Sequence, residues 1–375
     1  MKKKIYWFLF LIIFSISVSG QDISIDSLLS KAQLNIYQNP ETSIQIGKSL
    51  LLKEKNQDKI ISIYLILSKA YISQRNFDES MKYTLQAQEA IDKTKDFRKK
   101  ISILISIAIQ YQQMELFNKS FETLDEAYAI ISEYPQNDQQ KYQEIAKIFA
   151  VRGMIYKSQG NSEIALKKLL TSLENLEKAK PNPSILGNMS VVLYNIGYCY
   201  LDLEQPKKAA AYFIKSNNFA RKANAKSLEA FALKGLAETY TLKAQHTEAI
   251  KLLENAENLS RNIGDLVLNE GIYKGLADNY LALNTFQKYQ FFNKKYQETK
   301  FEREQSELNS INRAIDAQTE INRKNIEKLK INYLIYKSLI LTSGIITIAI
   351  LVYLIIQKMK KNKKYSKKIG KLIRS

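Results

Sequence analysis

Between about residue 25 and residue 300, apolar side chains recur at intervals of three and four, and alternation of period two is scarce. That spacing gathers the apolar positions on one face of each of many successive helices and predicts an all-α body. Ile101, Ile103, Ile105, Ile107 and Ile109 alternate in the manner of a strand. They fall in register with the helical pattern on either side, and that register overrides the alternation. Only 12 Gly and 5 Pro occur in 375 residues, which argues against sandwiches, barrels and collagen-like chains.

The pattern repeats. Lys234-Gly-Leu-Ala-Glu-Thr-Tyr240 and Lys274-Gly-Leu-Ala-Asp-Asn-Tyr280 lie 40 residues apart and share five identities. Small residues stand at Ser68, Ala108, Gly153, Gly197, Ala237 and Ala277, each followed three residues later by a tyrosine. Nine residues after five of those tyrosines come Ser80, Ser120, Ala165, Ala209 and Ala249. A bulky residue follows four later (Leu124, Leu169, Phe213 and Leu253, with Thr84 in the first case), then another small one three later still. Small residues at fixed places let two antiparallel helices approach closely. A lone pair cannot bury its apolar face, so pairs must stack.

This spacing resembles the tetratricopeptide repeat across five units. A first unit turning at Tyr37-Gln-Asn-Pro40 and a last one starting at Leu276 are degenerate, as expected of the ends of a stack. No unit keeps the family's first-position Trp, and the period exceeds its usual length. The resemblance implies a right-handed superhelical solenoid of about seven helical hairpins over residues 21–300.

Both ends are apolar and flanked by lysine. Lys2, Lys3 and Lys4 precede the apolar run Ile5–Phe14, then Ser15, Ser17, Ser19 and Gly20. That is the layout of a secretory signal over residues 1–20. Ser338–Ile356 carries no charge and, with Tyr333–Lys337, is long enough to span a bilayer. We read residues 333–357 as one transmembrane helix. Nine Lys or Arg fill residues 358–375, marking a cytoplasmic tail suited to anionic lipid. Signal and span together predict an extracytoplasmic body on the bacterial inner membrane.

Residues 301–332 lack Gly and Pro and place Phe301, Leu308, Ile315, Asn322 and Leu329 seven apart. This predicts a connecting helix, either a weak coiled coil forming a homodimer or a helix resting on the repeats.

Charge and rare residues narrow the function. The net charge of +19 falls to +6 once the two termini and Lys337 are set aside, so membrane topology explains the basicity better than nucleic acid does. One Cys and one His exclude disulfide frameworks and multi-histidine zinc sites. No phosphate loop or metalloprotease motif occurs. His246 reads as a solvated turn residue and Cys199 as a small core filler. The chain therefore reads as non-enzymatic, with no cofactor and no metal.

What remains is a concave groove lined by the first helix of each pair. Candidate ligand-binding residues are Tyr194, Tyr198, Leu201, Lys234 and Lys274. The resemblance implies a peptide or protein ligand, sometimes held by bases that grip a carboxylate. Glu238 and Asp278 stand where the family's usual Asn partner would be, so Lys234 and Lys274 can instead pair within their own helices at i, i+4. The arrangement of signal, repeats, span and basic run also resembles the front of bacterial membrane-tethered regulators that end in an AraC-type DNA-binding domain or a histidine kinase. Only 18 residues follow the span, too few for such an output. The chain is then the sensory part of a regulator, touching DNA only through a further domain, or an extracytoplasmic scaffold without signalling output.

Overall fold

The computed structural model describes residues 24–36, 38–74, 76–91, 97–134, 138–261 and 263–372. The signal segment 1–20, Tyr37 and Arg374 lie outside the described residues. Among those described, regular structure is entirely helical. Seven first helices alternate with seven partners: α1 (Ile25–Asn35), α2 (Pro40–Leu51), α3 (Gln57–Ser73), α4 (Phe77–Ile91), α5 (Phe97–Gln113) and α6 (Phe117–Ile130). A 3-10 turn at Ile131–Glu133 follows, then α7 (Gln139–Ser158), α8 (Ser162–Lys178), α9 (Pro183–Asp202), α10 (Pro206–Lys222), α11 (Lys226–Thr241), α12 (His246–Ser260), α13 (Leu266–Ala282) and α14 (Phe286–Leu372). The isoleucine run of alternating look is fully helical within α5.

The repeating tyrosine stands near the end of the first helix in six of the hairpins. Its carbonyl accepts the backbone N–H five residues on: Leu116 to Tyr111 at 2.8 Å, Asn161 to Tyr156 at 2.9 Å, Gln205 to Tyr200 at 2.8 Å and Gln245 to Tyr240 at 3.0 Å. This is the six-to-one bond of a Schellman cap. It needs a left-handed residue between, supplied by Gly160 at φ 76° but elsewhere by Glu115, Glu204, Ala244 and Asn284 at φ 55–59°. Each such non-glycine residue gives up about 1 kcal/mol to make the turn. Starts are equally local. Asn39, with Pro40 behind it, accepts from Thr42 N at 3.1 Å. Asn182, followed by Pro183, accepts from Ile185 N at 3.0 Å.

In four of the hairpins a small residue faces a large one sixteen positions later. Ala108, Leu124, Leu169, Phe213, Ala237 and Leu253 are all 1% exposed or less. Phe213 of α10 is wedged between two glycines. A Cβ on Gly197 of α9 would stand 2.7 Å from its ring, and one on Gly235 of α11 would also collide with it. Gly153 meets Leu169 in the same way at 2.7 Å. The second hairpin makes this contact with hydroxyls: Ser68 Oγ lies 2.7 Å from Thr84 Oγ1 and 3.1 Å from Ser80 Oγ, and accepts from Gln110 Nε2 at 3.0 Å. Serines also tie the two helices of a hairpin, Ser120 of α6 to Ala108 O of α5 and Ser172 of α8 to Ala146 O of α7, both at 2.7 Å.

The chain falls into two units, Met1–Ala314 and Ile315–Ser375. In the first, the start of α14 is the second helix of the seventh hairpin. Tyr280 and Phe292 stack at 5.6 Å. Lys295 donates to Glu257 at 3.0 Å and stands 4.8 Å above the Tyr273 ring. Arg303 bonds Glu270 of α13 and, at 2.8 Å, Glu307. This part of α14 therefore rests on the last repeat, while Phe301 and Leu308 stay exposed. In the second unit α14 continues through Ile326–Lys367, 42 residues with a mean hydropathy of 2.7 in their most apolar stretch and none of that stretch buried. By length and composition this segment can cross a membrane.

Replacing Gly197 by Leu should destabilise the solenoid by about 3 kcal/mol or more, because the added side chain must displace a fully buried ring. A lowered melting temperature by circular dichroism is expected. An unchanged one would place the contact elsewhere.

Candidate functional site

The concave face is built by the first helices. A cavity of about 450 Å³ runs along it, floored by Ile72 of α3, Ile109 of α5, Met154 of α7, Tyr194 of α9 and Phe231 of α11. Amides at Gln112, Gln113, Asn188 and Asn195 interrupt this apolar floor. A second, polar cavity of about 430 Å³ shares Gln112, Gln113, Ser158 and Val267 with the first and ends on Glu270, Arg303 and Glu307.

Of the five residues picked from sequence, the fold brings three together. The Tyr198 hydroxyl donates to Glu238 Oε1 at 2.7 Å and accepts from Lys234 Nζ at 2.7 Å. Lys234 also donates to Glu238 at 2.9 Å, closing a triangle between α9 and α11. Tyr194 packs edge-on to Tyr198 at 4.8 Å and to Phe231 at 5.5 Å, and it lines the cavity. Burial pushes the Tyr198 phenol well above its ordinary pKa, and Tyr194 and the Glu238 charge push the same way. For Lys234 burial alone would lower the pKa, but Tyr194, Glu238 and Asp265 together outweigh it and leave it raised. Lys234 is therefore a charged lysine already committed to Glu238, for which an incoming carboxylate must compete.

Leu201 packs half-buried beside Phe213. Lys274 stands apart: it is 57% exposed and paired at 2.7 Å with Asp278 of its own helix. His246 is more engaged than a solvated turn residue. It is half-buried at the start of α12, with Nδ1 2.9 Å from Asn279 Oδ1. Burial lifts the Cys199 thiol to about 11, which suits a core filler.

Two cations of the cavity, and a third lysine on α3, were not singled out from sequence. Lys147 and Lys157 of α7 line the cavity. Lys147 is paired with the buried Glu144 at 3.0 Å, and the Lys157 ammonium sits 4.9 Å above the Tyr198 ring. Lys69 of α3 lies one turn before Ile72. Its own surface is half-covered, and among the described residues no hydrogen bond or ion pair reaches its ammonium. Burial lowers its pKa to about 8, helped by Lys147 and opposed by Glu144. The repeat frame held the signal: Lys69 follows the small Ser68 as Tyr198 follows Gly197, and Lys157 stands four after Gly153 as Leu201 stands four after Gly197.

A tetratricopeptide-repeat family model matches residues 191–222, the second half of α9 and all of α10. No curated relative matches the sequence. Solved structures share the fold. A Rap protein complexed with competence and sporulation factor is similar with a TM-score of 0.53 and 16% identity, over 76% of this chain and 89% of that one. NprR in complex with its cognate peptide NprX gives 0.54 and 15%, over 75% and 80%. A signal transduction ATPase with a tetratricopeptide repeat sensor from Pyrococcus horikoshii gives 0.51 and 17%, over 81% of this chain and 49% of that one. The described solenoid thus has the fold of tetratricopeptide-repeat proteins.

Lys69 should weaken the fold at neutral pH. Its folded pKa, about 8, lies below the value of 10.5 for a free lysine. The unfolded chain binds more protons between these values, so stability from this group rises with pH across that window and is lowest below it. Lys69→Met should therefore raise stability at pH 7 by up to about 3 kcal/mol. The gain should fade as pH climbs from 8 to 10.5, as read by denaturant melts of wild type and variant.

Proposed function

We propose that the chain is the sensory part of a membrane-anchored, non-enzymatic receptor whose extracytoplasmic solenoid binds an extended peptide in its concave groove. The observation that carries this reading is the apolar cavity floored by five successive first helices and edged with amides. An extended peptide presents a backbone donor or acceptor about every 3.3 Å along its length, and repeated amides can answer them while apolar pockets take side chains. The Rap and NprR structures, solved with a bound factor and a bound cognate peptide, support the ligand class. The apolar segment of α14 supports the anchor, with the basic run after it facing the cytoplasm. Signalling is the fitting use of such a layout because the start of α14 is a packed part of the last hairpin, where ligand binding can alter its contacts.

Two measurements test this reading. The detergent-solubilised full chain, equilibrated with a pool of random eight-residue peptides, should retain a subset. Retention should be lost in Ala150→Trp, which fills the cavity. Equal retention by the variant would move binding out of the groove. A reporter active only outside the cytoplasm, fused after residue 330, should be active. An inactive fusion would invert the topology.

A further inference from the structure

Helix α14 carries a second pattern beside the face that packs on α13. Residues 301–330 hold twelve charged side chains. Stepping from Phe301 to Leu329 by four and three in turn picks out nine positions, and none of the twelve charges falls on them. Such steps keep to one narrow face of a helix, and α14 is helical throughout this stretch. Five of the nine are large and apolar. Phe301 and Leu308 in the first unit are 64% and 60% exposed, and Ile315, Ile326 and Leu329 in the second are 40–67% exposed. Arg303, which bonds Glu270 of α13, comes two residues after Phe301 and so lies on the far side of the helix. Single exposed apolar residues are ordinary, whereas a row of them kept clear of charge marks a contact.

The shape and the flanking charges specify what covers this row. A narrow row that repeats about every 3.5 residues is filled by a helix of the same repeat winding beside it. A second copy of the chain offers that helix. In a parallel, in-register pair the residues beside the row meet their counterparts five positions on. Gln297 then meets Glu302, and Glu304 meets Asn309, each an amide beside a carboxylate. Along the whole row no two like charges meet. Gln305, Asn312, Thr319 and Asn322 hold the remaining four of the nine positions, so the contact is weaker than an all-apolar one. Confinement of both copies to one bilayer offsets that weakness by raising their effective concentration.

Building on the membrane-anchor reading above, we propose that residues 301–330 of α14 pair with the same residues of a second copy, parallel and in register. The anchor makes the pair parallel, because both copies enter the bilayer in one direction. The face that carries Arg303 stays on its own hairpin, so the helix serves its own repeat on one side and the partner chain on the other.

The test is disulfide formation in membranes that carry the full chain with Cys199→Ala, so that each variant holds one cysteine. Leu308→Cys, Ile315→Cys and Ile326→Cys should each give at least about five times the cross-linked dimer of Ser306→Cys and Lys328→Cys, which lie off the row. Adding Leu308→Glu and Ile315→Glu should lower the Ile326→Cys cross-link by about tenfold, because charge is buried in the pair. Both residues are exposed in the single chain, so its circular dichroism melt should not change, which separates lost pairing from unfolding. Equal cross-linking on and off the row, or none at any position, would overturn the dimer and leave the anchor standing. A cross-link that survives both glutamates would move the contact off this row. Differently tagged chains carrying Leu308→Cys and Ile326→Cys should not join, since in register these positions are eighteen residues apart, about 27 Å along the helix. A cross-link between them would mean antiparallel pairing and would overturn both this register and the anchor reading. An inactive reporter fusion with the cross-links intact would invert the anchor and leave the pair standing.

Discussion

Everything in the solenoid depends on how closely the two helices of a hairpin can approach. A small residue on the first helix faces a bulky one sixteen positions later, as Gly197 faces Phe213 and Gly153 faces Leu169. The missing Cβ lets a buried side chain lie almost against the opposite backbone, where dispersion contacts are dense. Phe213 also reaches Gly235 of the next hairpin, so one ring fixes both the pair and the stack. Where the chain uses Ser68 and Thr84 instead, hydroxyls replace the ring and Gln110 completes the network. The same distance is kept by hydrogen bonds instead of shape.

That approach distance sets the groove. Close pairs hold the inner faces of α3, α5, α7, α9 and α11 in one curved row, so residues far apart in sequence share a floor. Two kinds of charge stand in or beside it. Lys234 is neutralised in place by Glu238 and Tyr198 and acts as a strut between neighbouring repeats. Among the described residues the nearby Lys69 of α3 has no such partner, and burial lowers its pKa to about 8.

The last hairpin departs from the others because its second helix does not stop. Lys295 on Glu257 and Arg303 on Glu270 fasten its first turns, where earlier hairpins use small-to-large packing. The stacked rings of Tyr280 and Phe292 add an apolar contact beside these polar ties.

The repeat, its helices and its apolar ends were legible in the sequence because each rests on local rules. Period 3.6 makes the helices, tyrosine spacing marks the caps, and small-large spacing marks the contacts. Glu115, Glu204 and Ala244 show the limit of such rules: the left-handed caps were made without glycine because the six-to-one bond and the packing around it outweigh the local preference. Tyr194, Tyr198 and Lys234 could be placed on the inner face from the repeat frame alone. Which lysine carries a free charge could not, since that depends on acids brought near by folding. Glu238 lies four residues from Lys234 and could be seen. The charges of Lys147 and Glu144 that act on Lys69 come from a helix far from it in sequence, and only the tertiary structure decided that.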